Sequence, residues 1–170
     1  IQLMKDEGFE VADWIHHLSE SNQKSFYSIK SGKTYFYDVD QKSHQKIPGQ
    51  DAFIILDNIR GSHEVFSNKD LVAQDLGDGI LNIEFRSKMN SIGGDVLNGI
   101  NAAMDIAEKE YDGVVISNTG DNFSVGANIG MIFMFAVEQE YEELNAAIKY
   151  FQDTMMRMRY SSIPTVAAPH

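Results

Sequence analysis

With 170 residues, 43% of them apolar, the chain has the size of one ordinary domain and enough apolar side chains to build a core. A net charge of -11 with no clustered Lys or Arg excludes a nucleic-acid binder, because neutralising phosphates requires a basic stripe. The absence of cysteine excludes disulfides, thiolate metal sites and cysteine nucleophiles, and fits a reducing cytoplasm.

The acidic residues are scattered and form a solubilising surface. Val11, Trp14, Ile15 and Leu18 recur at helical spacing and predict a short helix. Phe26-Tyr27 and Tyr35-Phe36-Tyr37, separated by the turn residues Ser31-Gly32, predict a hairpin. The polar stretch from Asp38 to Gly49, ended by Pro48-Gly49, is expected to be a surface loop or linker. Ala52 to Leu56 is one more short apolar segment.

The pattern becomes regular after Ser67, which places a boundary between residues 66 and 67. Ala73 to Leu76 and Ile80 to Phe85 flank Gly77-Asp78-Gly79, and Leu81, Ile83 and Phe85 alternate with Asn82 and Glu84, so a hairpin with one buried face follows. Asp95 to Lys109 carries Val96, Leu97, Ile100, Ala103, Met104 and Ala107 on one face of a helix, and Gly113 to Ser117 is a short buried strand. Strand, helix and strand make a crossover, which puts the loop after Ser117 at the carboxyl end of a parallel strand, where open α/β sheets bind ligands. A second helix from Tyr141 to Tyr160 has Leu144, Ile148, Phe151, Met155 and Met158 as an expected core face. Ile163-Pro164 introduces a third buried strand from Thr165 to Ala168. The apolar run Met131 to Val137 is far shorter than the about 20 residues that cross a bilayer, so no membrane span is expected. The chain opens on Ile1 and stops at Pro169-His170 beside an apolar run, which suggests a cut at both ends.

Asn118 to Gly130 is a glycine-bearing loop leading from a strand into a helix. Its backbone N–H groups are suited to a phosphate or a developing oxyanion. It matches neither the Gly-x-Gly-x-x-Gly fingerprint nor a phosphate loop, so spacing leaves a plain turn and an oxyanion-binding loop both open.

Taken in order, Asp78-Gly79-Ile80, Lys88-Met89-Asn90-Ser91-Ile92, Val114 to Ser117, Phe123-Ser124-Val125-Gly126-Ala127-Asn128-Ile129 and Ile163 to Ala168 resemble the crotonase (enoyl-CoA hydratase/isomerase) superfamily over about residues 71 to 170. The most specific element is Phe123 to Ile129, similar to the family's Phe-Ser-Ala-Gly-Ala-Asp-Ile, with Val125 and Asn128 as departures. The resemblance implies an oxyanion-hole N–H on Ala127 that donates to the thioester carbonyl of an acyl-CoA. It further implies that Lys88, Met89, Ser91, Gly126, Asn128 and Ile129 line the coenzyme A groove, with Lys88 near a phosphate. The family's second oxyanion donor and catalytic glutamates lie in segments beyond the match, and Glu138, Glu140, Glu142 and Glu143, expected on an exposed helix side, are poor substitutes. The isolated chain is therefore expected to be inactive.

Gly8 to Ile15, Ser25-Phe26-Tyr27 and Tyr35 to Asp38 look like the tail and linker after the dehydrogenase half of bifunctional 3-hydroxyacyl-CoA dehydrogenase/enoyl-CoA hydratase proteins. This resemblance implies an upstream domain that uses NAD; residues 1–66 show no Rossmann fingerprint, and no NAD site is assigned to them.

Other chemistries lack their residues. His16, His17, His44, His63 and His170 show no zinc-helix pairing, although His170 sits in a turn next to the expected substrate site. Asp38 and Asp40 are not followed by the glycine of a calcium loop, since Ser43 stands there, and no Gly-x-Ser-x-Gly elbow exists. The expected fold is α/β: residues 67–170 as the N-terminal half of a crotonase-like ββα spiral, preceded by a small helix-plus-hairpin linker in residues 1–66. Two functions stay open: a segment of a cytoplasmic β-oxidation enzyme whose substrate is an acyl-CoA, and a non-catalytic crotonase-like module that binds an acyl-CoA or a protein. Exposed apolar surface between Tyr141 and Ala168, and with it homo-oligomer formation, is expected for either.

Overall fold

The computed structural model describes residues 2–21 and 25–169. The chain divides into two compact units, residues 1–59 and 60–170. The break falls before the expected one at 66/67, because Glu64–Ser67 is itself a strand of the second unit's sheet and Phe66 packs on that unit's core.

The first unit opens with α1 (Gln2–Asp6) and α2 (Asp13–Glu20), the expected helix, whose Trp14 meets Phe26 edge-on at 5.8 Å. Strands β1 (Tyr27–Lys30) and β2 (Lys33–Asp38) form the expected hairpin. Ser31 and Gly32 both have positive φ (49° and 71°), the backbone that a two-residue hairpin turn requires. The stretch from Asp38 to Gly49 is not a simple loop. Asp38 Oδ1 accepts from the backbone N–H of Asp40 and of Gln41, both at 2.9 Å, and this turn returns the chain as β3 (Ser43–Lys46) along β2. Polar composition concealed a half-buried strand whose pairing comes from the backbone. A short 3-10 turn (Gln50–Ala52) and α3 (Leu56–Ile59) close the unit.

The second unit is a five-stranded sheet in the order β4 (Glu64–Ser67), β5 (Leu71–Asp75), β6 (Ile80–Phe85), β7 (Gly113–Ile116), β8 (Thr165–Ala167). The first two pairings are antiparallel and the last two parallel. The β5–β6 turn bears positive φ at Gly77, Asp78 and Gly79, as its composition predicts. Helix α4 (Gly94–Glu110) makes the crossover from β6 to β7, buries the whole predicted stripe, and packs Val96, Ile100, Ala103, Met104 and Ala107 of it against Leu71, Ala73, Leu81, Ile83, Phe85, Val114 and Ile116. Gly99 also lies in that interface: a Cβ there would stand 2.9 Å from Leu71 Cβ, so the missing side chain lets helix and strand touch.

Helices α5 (Ile129–Val137) and α6 (Tyr141–Arg159) occupy the connection from β7 to β8. The expected core face of α6 is only partly one. Met155 and Met158 reach the core, Leu144 and Phe151 are half-buried, and Ile148 is 43% exposed. Polar contacts along α4 set this orientation: Tyr150 OH donates to Asn98 Oδ1 (2.7 Å), Asn101 Nδ2 to Thr154 Oγ1 (2.9 Å), and Arg157 to Asp105 Oδ1 (2.6 Å) and Glu108 Oε2 (3.3 Å). Burial lowers the Arg157 pKa, but its hydrogen bonds to Asp105 and Glu108 outweigh this and hold the guanidinium above its ordinary value. The apolar stripe is thereby turned toward α5. Strand β8 is not the buried strand expected, since Val166 is 55% exposed at the end of the sheet order, with β7 as its sheet neighbour.

No helix among the described residues is long and apolar enough to cross a membrane.

Candidate active site

The loop after β7 is fastened to the loop after β6 by a parallel bridge between Ile92 and Ala127. Ile92 N–H donates to Gly126 O (2.8 Å) and Asn128 N–H donates to Ile92 O (3.1 Å). In a parallel bridge of this pattern the central residue turns its own N–H and C=O away from the partner. Both bonds belong to Gly126 and Asn128, so the Ala127 N–H is left directed outward, with no acceptor among the described residues.

Three side chains hold this arrangement. Asn90, 7% exposed, donates from Nδ2 to Thr119 O (3.0 Å) and Asn122 O (2.9 Å), tying the two loops together. Ser124 Oγ donates to Asn90 O (2.6 Å) and accepts from Gly126 N–H (3.0 Å). Asn118 accepts from Phe85 N–H (2.7 Å) and donates to Phe123 O (2.7 Å), anchoring the loop to β6. Gly126 has φ +83°, a backbone conformation that glycine adopts without a steric penalty, and it aims the next peptide. Met89 and Asn90 are left-handed too (φ 58° and 53°), which is how the β6–α4 loop turns back beside Gly126.

Beyond Ala127 opens an apolar groove of about 420 Å³. Ile92, Leu97, Ala127, Met131, Phe135 and Phe151 contribute its walls, and no carboxylate of the described residues lines it. The nine-residue α5 starts at this mouth, with Asn128 as N-cap accepting from Met131 N–H (3.4 Å). Its N-terminal peptide dipoles add to the positive potential around the outward N–H. An oxygen carrying developing negative charge, attached to an apolar chain, fits this combination of donor and groove.

Of the residues singled out in the sequence, Ala127 and Asn128 line the groove, and Gly126 supports them from the bridge. Ser91 is half-buried one residue before the bridge, with its C=O accepting from Ser87 Oγ (2.6 Å). Lys88 and Met89 are exposed on the neighbouring turn, and Ile129, 75% exposed, is not among the residues that line the groove. Glu138, Glu140, Glu142 and Glu143 are exposed, the first two in the α5–α6 turn and not on a helix. His170 lies outside the described residues. Sequence reasoning missed Asn90, Asn118 and Ser124 as the fasteners, and assigned Ile148 and Phe151 to the core when they line the groove; Leu97, buried as expected, lines it too. The apolar run Met131 to Val137 directly after a polar loop was the available signal, because α5 buries none of its residues.

No family model matches the chain. A probable 3-hydroxyacyl-CoA dehydrogenase of Bacillus subtilis (strain 168) is 34% identical over 163 residues, 95% of this chain and 20% of that protein. A putative fatty acid oxidation complex trifunctional enzyme of Rickettsia felis is 25% identical over 129 residues, 76% of this chain and 18% of that protein. The chain thus spans about one fifth of the length of these relatives. Among solved structures, a putative enoyl CoA hydratase/isomerase (crotonase) from Legionella pneumophila superposes with a TM-score of 0.53 at 23% identity, covering 61% of this chain and 41% of that one. An enoyl-CoA hydratase/isomerase from Xanthobacter autotrophicus Py2 gives 0.51 at 24% identity, with 61% and 39% covered. In fold the chain resembles crotonase-type proteins, and in sequence it resembles 3-hydroxyacyl-CoA dehydrogenases and fatty acid oxidation enzymes.

Proposed function

We propose that this chain is a segment of a cytoplasmic fatty-acid β-oxidation enzyme that acts on acyl-CoA thioesters. The second unit, residues 60–170, contributes to enoyl-CoA hydration, and the first unit is the tail and linker of a dehydrogenase domain of the same protein, which oxidises the 3-hydroxyacyl-CoA with NAD. The observation that carries this reading is the outward Ala127 N–H at the mouth of an apolar groove. The thioester carbonyl accepts from that N–H, and the enolate-like charge formed when water adds to the double bond strengthens the bond. The acyl chain lies along Leu97, Met131 and Phe135. Coenzyme A passes over Lys88, Met89, Ser91, Gly126, Asn128 and Ile129, where the exposed Lys88 ammonium meets a phosphate. Other residues of the full protein supply the carboxylates that orient the water. Exposed apolar side chains on α5 and α6, such as Phe133 (66%) and Tyr141 (63%), favour association with a further protein surface or a second copy.

A second reading, a crotonase-like module that binds an acyl-CoA or a protein without catalysis, is favoured by groove walls that carry no carboxylate among the described residues. Kinetics of the full-length protein with a 2-enoyl-CoA separate the two. Hydration to the 3-hydroxyacyl-CoA, followed by NAD-dependent oxidation, is the expected result. Acyl-CoA binding without turnover would leave the module, and neither binding nor turnover would overturn both.

A further inference from the structure

Glu84 on β6 is a carboxylate with no exposed surface, placed on the sheet face opposite α4 and unused by the chemistry above. A charge so buried is costly unless it is paired and hydrogen-bonded. Arg60 Nη2 donates to Glu84 Oε1 at 2.5 Å, Gln74 Nε2 donates to Oε2 at 3.1 Å, and Arg86 Nη1 stands 3.8 Å from Oε2. A further partner comes from the loop after β7: Thr119 Oγ1 donates to Glu84 Oε1 (3.1 Å) and accepts from Arg60 Nη2 (3.0 Å). Thr119 is therefore held on both sides of its hydroxyl by an ion pair whose acidic member sits on a rigid central strand.

From Thr119 the contacts run on to the donor. Thr119 O accepts from Asn90 Nδ2, Asn90 O accepts from Ser124 Oγ, and Ser124 Oγ accepts from the N–H of Gly126, the residue before Ala127. We propose that Glu84, with Arg60, is a positioning residue that acts through Thr119 to fix the loop presenting the Ala127 N–H. A preorganised donor loses catalytic value when it can drift from the oxyanion's position, so loosening the far end of this relay lowers turnover more than ground-state binding. The inference rests on the acyl-CoA reading of the site.

Thr119 is exposed, so Thr119→Val removes the hydroxyl at little risk to the core, and Thr119→Ser restores it. In full-length protein two readouts are taken: hydration of a short 2-enoyl-CoA, and hydrogen exchange of the amides of residues 119–127 against those of β6. The expected result for the Val variant is kcat lower by about tenfold with KM within about twofold, and loop exchange faster by about tenfold with β6 unchanged. The Ser variant recovers both. Unchanged loop exchange in the Val variant overturns the positioning role whatever the turnover. Faster exchange in a wild-type background that neither binds nor hydrates acyl-CoA overturns the acyl-CoA reading, and with it any catalytic purpose of the relay.

Discussion

Ala127→Pro in the full-length protein is expected to lower kcat for a 2-enoyl-CoA by about a hundred- to a thousandfold, the usual effect of removing one oxyanion donor. Proline deletes the N–H and leaves the rest of the residue small. In most positions it would also break a ladder bond, but here the two bonds of the bridge belong to Gly126 O and Asn128 N, so pairing with Ile92 survives. Proline also restricts the residue before it, and at 126 that residue is glycine, the most permissive choice. An unfolding midpoint close to wild type alongside the fall in kcat is the expected pair of results. Full activity in a folded proline variant would remove Ala127 from the chemistry.

Ile100→Ala tests the scaffold. Ile100 has no exposed surface and lies mid-way along the face of α4 that packs on the sheet. Truncating it removes the transfer free energy of three carbons and leaves a cavity that strands and helix cannot both close, at a cost of about 2–5 kcal/mol. Denaturant unfolding should show a lower midpoint at an unchanged slope. Phe133→Ala in the isolated chain, before any further surface covers α5, is the contrast: the ring is larger, yet it is 66% exposed on α5, so stability should change by no more than about 0.5 kcal/mol. Equal losses for the two variants would mean that α5 is already covered there and that the core described for the second unit is incomplete.

Where burial and periodicity coincide, the elements were legible in the sequence. The α4 stripe, the β5–β6 hairpin and the short strand at Gly113 all came from apolar spacing and from glycines that tolerate positive φ. Strand β3 was hidden because its residues Ser43, His44, Gln45 and Lys46 carry no apolar alternation; its place is set by the Asp38 turn and by backbone pairing. The α6 stripe misled because spacing reports that a face is apolar and not what covers it, and polar contacts from Asn98 to Arg157 decide which way the helix is rolled. For the site, the resemblance located Ala127, but the direction of its N–H depends on a bridge between loops 35 residues apart in sequence. The fasteners Asn90, Ser124 and Asn118 act through backbone carbonyls and N–H groups, which leave no pattern in side-chain spacing.

The backbone amide of Ala127 is the atom on which the account turns, and its resonance can be followed directly. In isotope-labelled protein titrated with a short acyl-CoA thioester, the Ala127 amide should show the largest shift within residues 117–128, with a saturation curve matching overall binding. Binding that leaves the Ala127 amide unmoved while signals elsewhere shift would contradict the claim that this N–H donates to the thioester carbonyl.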